Sequence, residues 1–161
     1  MKEKLFEQML NELIFELNKK RIRIGTVECC TCGLLGASIA SVANSAEFPM
    51  YKGSITINQG YNDDLMRTLD VSPNAIKNNG VVSSQVACQM AIGGLYKLDL
   101  NLCVAVVGDI KNGVVWLCSA RQGDKTLNFR YKQLILEGTN SEKYNKIIEE
   151  GVEIALLHAE E

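Results

Sequence analysis

The spacing of hydrophobic positions changes several times along this chain, and each change marks an element. From Met1 to Lys20, Leu5, Met9, Leu13 and Leu17 recur at every fourth position among Lys and Glu, the stripe of an amphipathic surface helix. The apolar run Ile22 to Val27 then reads as a strand, and Leu34 to Val42 returns to helical spacing. From Tyr51 to Ile57, Ser54 and Thr56 alternate with Ile55 and Ile57, and Gly60 punctuates the end of this second strand. The pattern predicts a short helix over Asp63 to Leu69, broken by Val71-Ser72-Pro73. A loop through Asn78-Asn79-Gly80 then leads to Val81-Val82-Ser83. Ser83 is placed to cap a helix from Ser84 to Leu98, on which Val86, Met90, Ala91 and Leu95 share one face.

The second half is richer in β-runs. Leu102 to Val107 and Val114 to Ala120 flank the hairpin-like connection from Gly108 to Gly113, which ends in Asn-Gly, so these strands are expected to be antiparallel neighbours. Thr126 to Ile135 is a further strand after the turn at Gln122-Gly123-Asp124. A last helix starts near Asn140 or Ser141 and carries Ile147, Ile148, Val152, Ile154, Ala155 and Leu156 inward. Helices between early strands and hairpin links between late ones predict a single α/β domain over residues 1–161, built as three α/β/α layers around a mixed sheet of about five strands.

Composition narrows the function classes. A chain of 161 residues with 47% hydrophobic content can bury one core. A net charge of -2 with basic residues scattered leaves no electrostatic footprint for nucleic acid. No apolar run is long enough for a membrane helix and the amphipathic start is no signal peptide, so a soluble, cytoplasmic protein with no membrane partner is expected. The six cysteines are expected as free thiols, with Cys88, Cys103 and Cys118 inside apolar patterns.

The chemistry concentrates in Thr26-Val27-Glu28-Cys29-Cys30-Thr31-Cys32-Gly33, where the first strand turns into a helix. N–H groups at a helix start lack intrahelical partners and the dipole is positive there, so an anion or a thiolate would be stabilised. Cys29 is thus a candidate nucleophile, beside Glu28 as an orienting or dipole-pairing carboxylate and Thr31 as a substrate donor or a cap. Cys29 and Cys32 also have the C-x-x-C spacing of thioredoxin-like sites, but the extra Cys30 and the absence of a strand proline argue against that fold. A zinc site would need further ligands, and the lone histidine, His158, is expected at the surface, so no metal and no cofactor are expected. Trp116, Tyr51 and Phe129 read as core or interface aromatics.

The same stretch resembles Thr-Ala-Glu-Ser-Cys-Thr-Gly-Gly, the signature of the CinA C-terminal domain, the family that includes the nicotinamide mononucleotide deamidases. Lys52-Gly53-Ser54-Ile55-Thr56, Gly80-Val81-Val82-Ser83, Met90-Ala91-Ile92-Gly93-Gly94 and Gly113-Val114-Val115-Trp116 extend the likeness in order along nearly the whole chain. The resemblance implies a three-layer α/β/α domain, a homo-oligomer and a mononucleotide ligand whose carboxamide is hydrolysed to a carboxylate and ammonia. It places Cys29, Glu28 and Thr31 at the catalytic positions, and Cys30, Cys32, Gly33, Thr56, Ser83 and Gly108 around the substrate.

Departures from the pattern bear on that activity. The family's serine is Cys29, a motif glycine is Cys32, the tyrosine after the second strand is Ile57 and the lysine beyond it falls at Asn62. The long glycine-rich loop shrinks to Gly108 through Gly113, and Gly-Asp-Arg before the last helix reads Gly138-Thr139-Asn140. Amide hydrolysis needs an activated nucleophile, a proton route and oxyanion donors, so activity is expected to be altered or lost. The competing expectation is a silent homologue that binds a nucleotide-like ligand or a protein.

Overall fold

The computed structural model describes residues 2–44 and 46–161, with side chains from Leu5 onward; Met1, included in the expected first helix, lies outside the described residues. Helix α1 (Lys2–Lys20) leads into strand β1 (Ile24–Glu28), helix α2 (Leu34–Ala43) and strand β2 (Tyr51–Thr56). Helices α3 (Asn62–Leu69), α4 (Pro73–Asn79) and α5 (Ser84–Leu98) follow. Strands β3 (Leu102–Asp109), β4 (Val114–Gln122) and β5 (Leu127–Ile135) come next, and helix α6 (Asn140–Glu160) closes the chain. The sheet has five strands in the order β2-β1-β3-β4-β5. β1 is parallel to both β2 and β3, whereas β4 and β5 join by antiparallel hairpins, so the expected mixed sheet is what forms.

Strict alternation sorts the central strands between two cores. Ile24, Leu102, Val104, Val106, Val115 and Leu117 face one layer with Leu13 and Leu17 of α1, Leu35 and Ile39 of α2, and Ile147 and Val152 of α6. Val27, Cys29, Cys103, Ala105, Val107, Cys118 and Ala120 face the other, under Val86, Ala87, Met90 and Ala91 of α5 and Leu65 and Leu69 of α3.

Two local readings are corrected. The stretch after Val71-Ser72-Pro73, expected as loop, is the helix α4, because Pro73 occupies the first helical turn, where a missing N–H costs nothing and its fixed φ suits the helix. His158, expected at the surface, is fully buried, since the end of α6 lies against β4 and its Nδ1 sits 2.7 Å from the Ser119 hydroxyl.

What positions the site is the parallel trio. The chain leaves β1 toward β2 on one side and returns as β3 on the other, so the carboxyl ends of β1, β2 and β3 meet at a topological switch point, where α/β sheets open a crevice.

Candidate functional site at the carboxyl edge of the first strand

Glu28 is the last residue of β1, opposite Thr56 of β2 and Val106 of β3. Its side chain is fully buried. One carboxylate oxygen accepts from the Thr31 hydroxyl at 2.6 Å and the Leu35 N–H at 2.9 Å, and the other from the Thr26 hydroxyl at 2.7 Å and the Gly36 N–H at 2.9 Å. The start of α2 therefore already holds an anion, Glu28's own carboxylate, which satisfies two otherwise orphan donors and pairs with the positive end of the helix. Gly33, at the cap position in the left-handed region with φ 89°, offers no side chain of its own for this task.

Beneath the carboxylate lies a hydroxyl relay. Thr26 Oγ1 is in short contact with Ser54 Oγ, which lies 3.0 Å from the Tyr51 hydroxyl. Helix α2 can settle on this relay because position 36 is glycine: a Cβ there would collide with Ser54 Oγ, Tyr51 Oη and Thr26 Oγ1. Sequence reading missed Thr26, Ser54 and Tyr51 as one unit. The available signal was period two, which puts Thr26 on the same strand face as Glu28.

The three cysteines of the turn diverge. Cys29 points to the α5 layer and is only 4% exposed, packed with Val27, Val107 and Met90 in one core. Burial, then the neighbouring Cys30, Cys32 and Glu28, push its thiol up to about 12. Cys30 leans on the opposite core, half-buried, and its thiol is likewise pushed up to about 12, chiefly by burial. Cys32 is exposed and holds φ at 52°, the left-handed region that glycine prefers. At Cys29 the low-dielectric core opposes a thiolate charge, and the N–H groups of Leu35 and Gly36 that would favour it serve Glu28.

Of the expected substrate-side residues, Gly33 and Thr56 come together, a Cβ on Gly33 lying 3.6 Å from Thr56 Oγ1, and Thr56 is exposed. Gly108 lies two residues beyond Val106 on β3, and its N–H donates to Gln59 Oε1 at 3.1 Å, a partner that sequence reading did not identify. A side chain at this position would collide with Val115 on the neighbouring strand. Ser83 caps α5 as expected: its Oγ accepts from the Val86 N–H at 3.2 Å and donates to the Gly80 carbonyl at 2.8 Å. Because α5 runs antiparallel to β3, that cap lies at the same edge of the sheet.

A surface hollow of about 660 Å³ lies elsewhere, between α1, α6 and the end of β5, lined by Phe6, Leu136, Glu142 and Ile148. Among the described residues no three His, Cys, Asp or Glu side chains converge as a metal ion would require, and no helix is long and apolar enough to cross a membrane.

Comparison with known proteins shows what the chain and its fold are similar to. A family model for the CinA C-terminal domain matches residues 6–157. The chain is 34% identical over 103 residues to a CinA-like protein of Prochlorococcus marinus (strain MIT 9515), covering 63% of this chain and 23% of that one. It is 30% identical over 126 residues to a CinA-like protein of Geobacter sp. (strain M21), covering 73% and 30% respectively. The match thus spans less than a third of these relatives' length. The fold superposes on the competence/damage inducible protein CihA from Agrobacterium tumefaciens with a TM-score of 0.84 at 22% identity, covering 97% of this chain and 96% of that one. On a competence or damage-inducible protein from Enterobacter asburiae the TM-score is 0.83 at 19% identity, covering 96% and 98%.

Proposed function

The chain belongs to the CinA C-terminal domain family, and from that premise we propose that it is a catalytically silent member, keeping the scaffold without hydrolysing the carboxamide of nicotinamide mononucleotide. One observation carries this reading. The thiol at the nucleophile position is 4% exposed, packed with Val107 and Met90 under α5, and its burial raises its pKa to about 12, which opposes both substrate access and formation of a thiolate. The surrounding donors support it too. The N–H groups of Leu35 and Gly36 serve Glu28, the Gly108 N–H serves Gln59, and the Ser83 hydroxyl serves its own helix, which leaves these groups engaged where an oxyanion or phosphate would need them.

A second reading has its own support. Cys32 and Thr56 are exposed, and Gly33 lies beside Thr56 at the switch point, so a nucleotide-like ligand would rest on this rim with Cys29 sealed beneath it. Homo-oligomerisation belongs to the same proposal, with the outer strand β5, which exposes Tyr131 and Ile135, as the face where copies would meet.

The test is to incubate the purified protein with nicotinamide mononucleotide, measure ammonia, and titrate the same ligand by calorimetry. The silent reading expects no ammonia above background, with Cys29→Ala indistinguishable from wild type. Heat of binding without ammonia would establish the second reading, and ammonia release abolished by Cys29→Ala would overturn both.

A further inference from the structure

Cys88 and Cys118 stand thirty positions apart in the chain, and the fold brings their sulfurs together. Cys118 lies on β4, facing the α5 layer, and is buried; Cys88 lies on α5, facing the sheet, and is half-buried. The two Sγ atoms are 2.9 Å apart, with the Cys118 S–H donating to the Cys88 sulfur. A disulfide places its sulfurs roughly 2.05 Å apart, so closing this pair requires an approach of less than about 1 Å between elements already in contact.

We propose that Cys88 and Cys118 form a reversible oxidation site, at which a hydroperoxide converts two thiols into a disulfide that staples α5 to β4. The hydrogen bond assigns the roles. Receiving it lowers the pKa of the Cys88 thiol, and donating it, together with burial, raises that of Cys118. Cys88, half-buried at the helix surface, is therefore the attacking thiolate, and Cys118 the resolving thiol.

The steps balance. The Cys88 thiolate attacks the terminal oxygen of the hydroperoxide, the O–O bond breaks, and the alkoxide leaves and takes a proton from solvent; Cys88 is now a sulfenic acid. The Cys118 sulfur attacks that sulfur, the S–O bond breaks, and the hydroxide leaves with the Cys118 proton as water. Two electrons pass from the two thiols to the hydroperoxide, and a thiol reductant reverses the change.

The chain's basic residues allow a direct test. Cleavage after Lys and Arg puts Cys88 alone in residues 78–97, Cys118 alone in 112–121, Cys103 in 98–111, and Cys29, Cys30 and Cys32 together in 24–52. The whole protein is treated with stoichiometric hydrogen peroxide, alkylated in acid, digested without reductant and mapped by mass spectrometry. The expected product is peptide 78–97 joined to 112–121, lighter than the sum of the two by two hydrogens, lost on adding dithiothreitol and absent in Cys88→Ser. In Cys118→Ser, Cys88 should stop at the sulfenic acid and be trapped by a cyclic dione. If that variant does not fold, the wild-type map alone decides. Complete alkylation of both cysteines while peptide 24–52 oxidises would overturn the proposal, as would Cys88 passing to its sulfinic acid with no cross-link.

Discussion

A single carboxylate decides what the turn after β1 can do. Glu28 has no charged partner among its hydrogen bonds; in full burial it is held by the Thr26 and Thr31 hydroxyls and two backbone N–H groups, with the Ser54 hydroxyl more distant at 3.5 Å. Removing it strands these donors, so Glu28→Ala should cost roughly 3 kcal/mol or more, read as a lower urea midpoint. Glu28→Gln keeps the shape but turns an NH₂ toward donors, and should recover only part of that loss. Four residues on, Cys32 holds a left-handed backbone at φ 52°. Relieving about 1–2 kcal/mol of steric strain against about 0.5–1 kcal/mol of added chain entropy, Cys32→Gly should stabilise the fold by about 0–1.5 kcal/mol, read as an unchanged or higher urea midpoint. Sequence patterns located these residues and named both roles open to Glu28. They could not choose between them, because the choice depends on whether the carboxylate points into the crevice or back at Leu35 and Gly36, which is a matter of side-chain direction rather than position. Cys29 shows the same limit. Its place at a strand end was legible, but its burial depends on Val107 and Met90, which are remote in sequence.

At the level of elements, legibility followed periodicity. β1 and α2, β3 and β4, and α5 and α6 were all readable from spacing and turn residues, because each presents an apolar face to a layer it must cover. The cap of α6 shows how local these signals are: Thr139 Oγ1 accepts from the Glu142 N–H at 3.2 Å while the Glu142 side chain reaches back to the Thr139 N–H. Thr139→Ala should therefore lower stability by about 1 kcal/mol, with fraying confined to the first turn as seen by amide exchange. Where the reading failed, at α4, the helix is seven residues long and too short to show a period, so the proline was read as a breaker instead of a start.

For the molecule as a whole, His158 ties the last helix to the sheet and makes stability depend on pH. Its ring is fully buried against Ser119, and the Arg121 guanidinium donates to its carbonyl at 2.6 Å. Burial, reinforced by Arg121 and Arg130 and opposed by Glu161, presses its pKa down from 6.5 to about 4. The reason sequence reading sent it to the surface is that nothing near position 158 in the chain reveals β4 packed beneath it. In the unfolded chain this imidazole takes up a proton below pH about 6.5, and in the folded chain only near pH 4. The unfolded state thus binds more protons across that window, and stability should fall as pH drops through it. The loss reaches about 2 kcal/mol by pH 5. Glu150 also loses stability in acid, since Lys132 at 2.7 Å and Lys146 at 3.2 Å hold its carboxyl below the usual range against its own burial. Its window opens only below about 4.5, so it leaves the interval from pH 6.5 to 5 to the histidine. His158→Gln keeps a hydrogen-bonding partner for Ser119 without a titrating ring. Urea midpoints measured at pH 7 and pH 5 should separate clearly in the wild type and nearly coincide in the variant. An equal separation in both would mean that another group carries the proton uptake and that the ring already charges in the folded state.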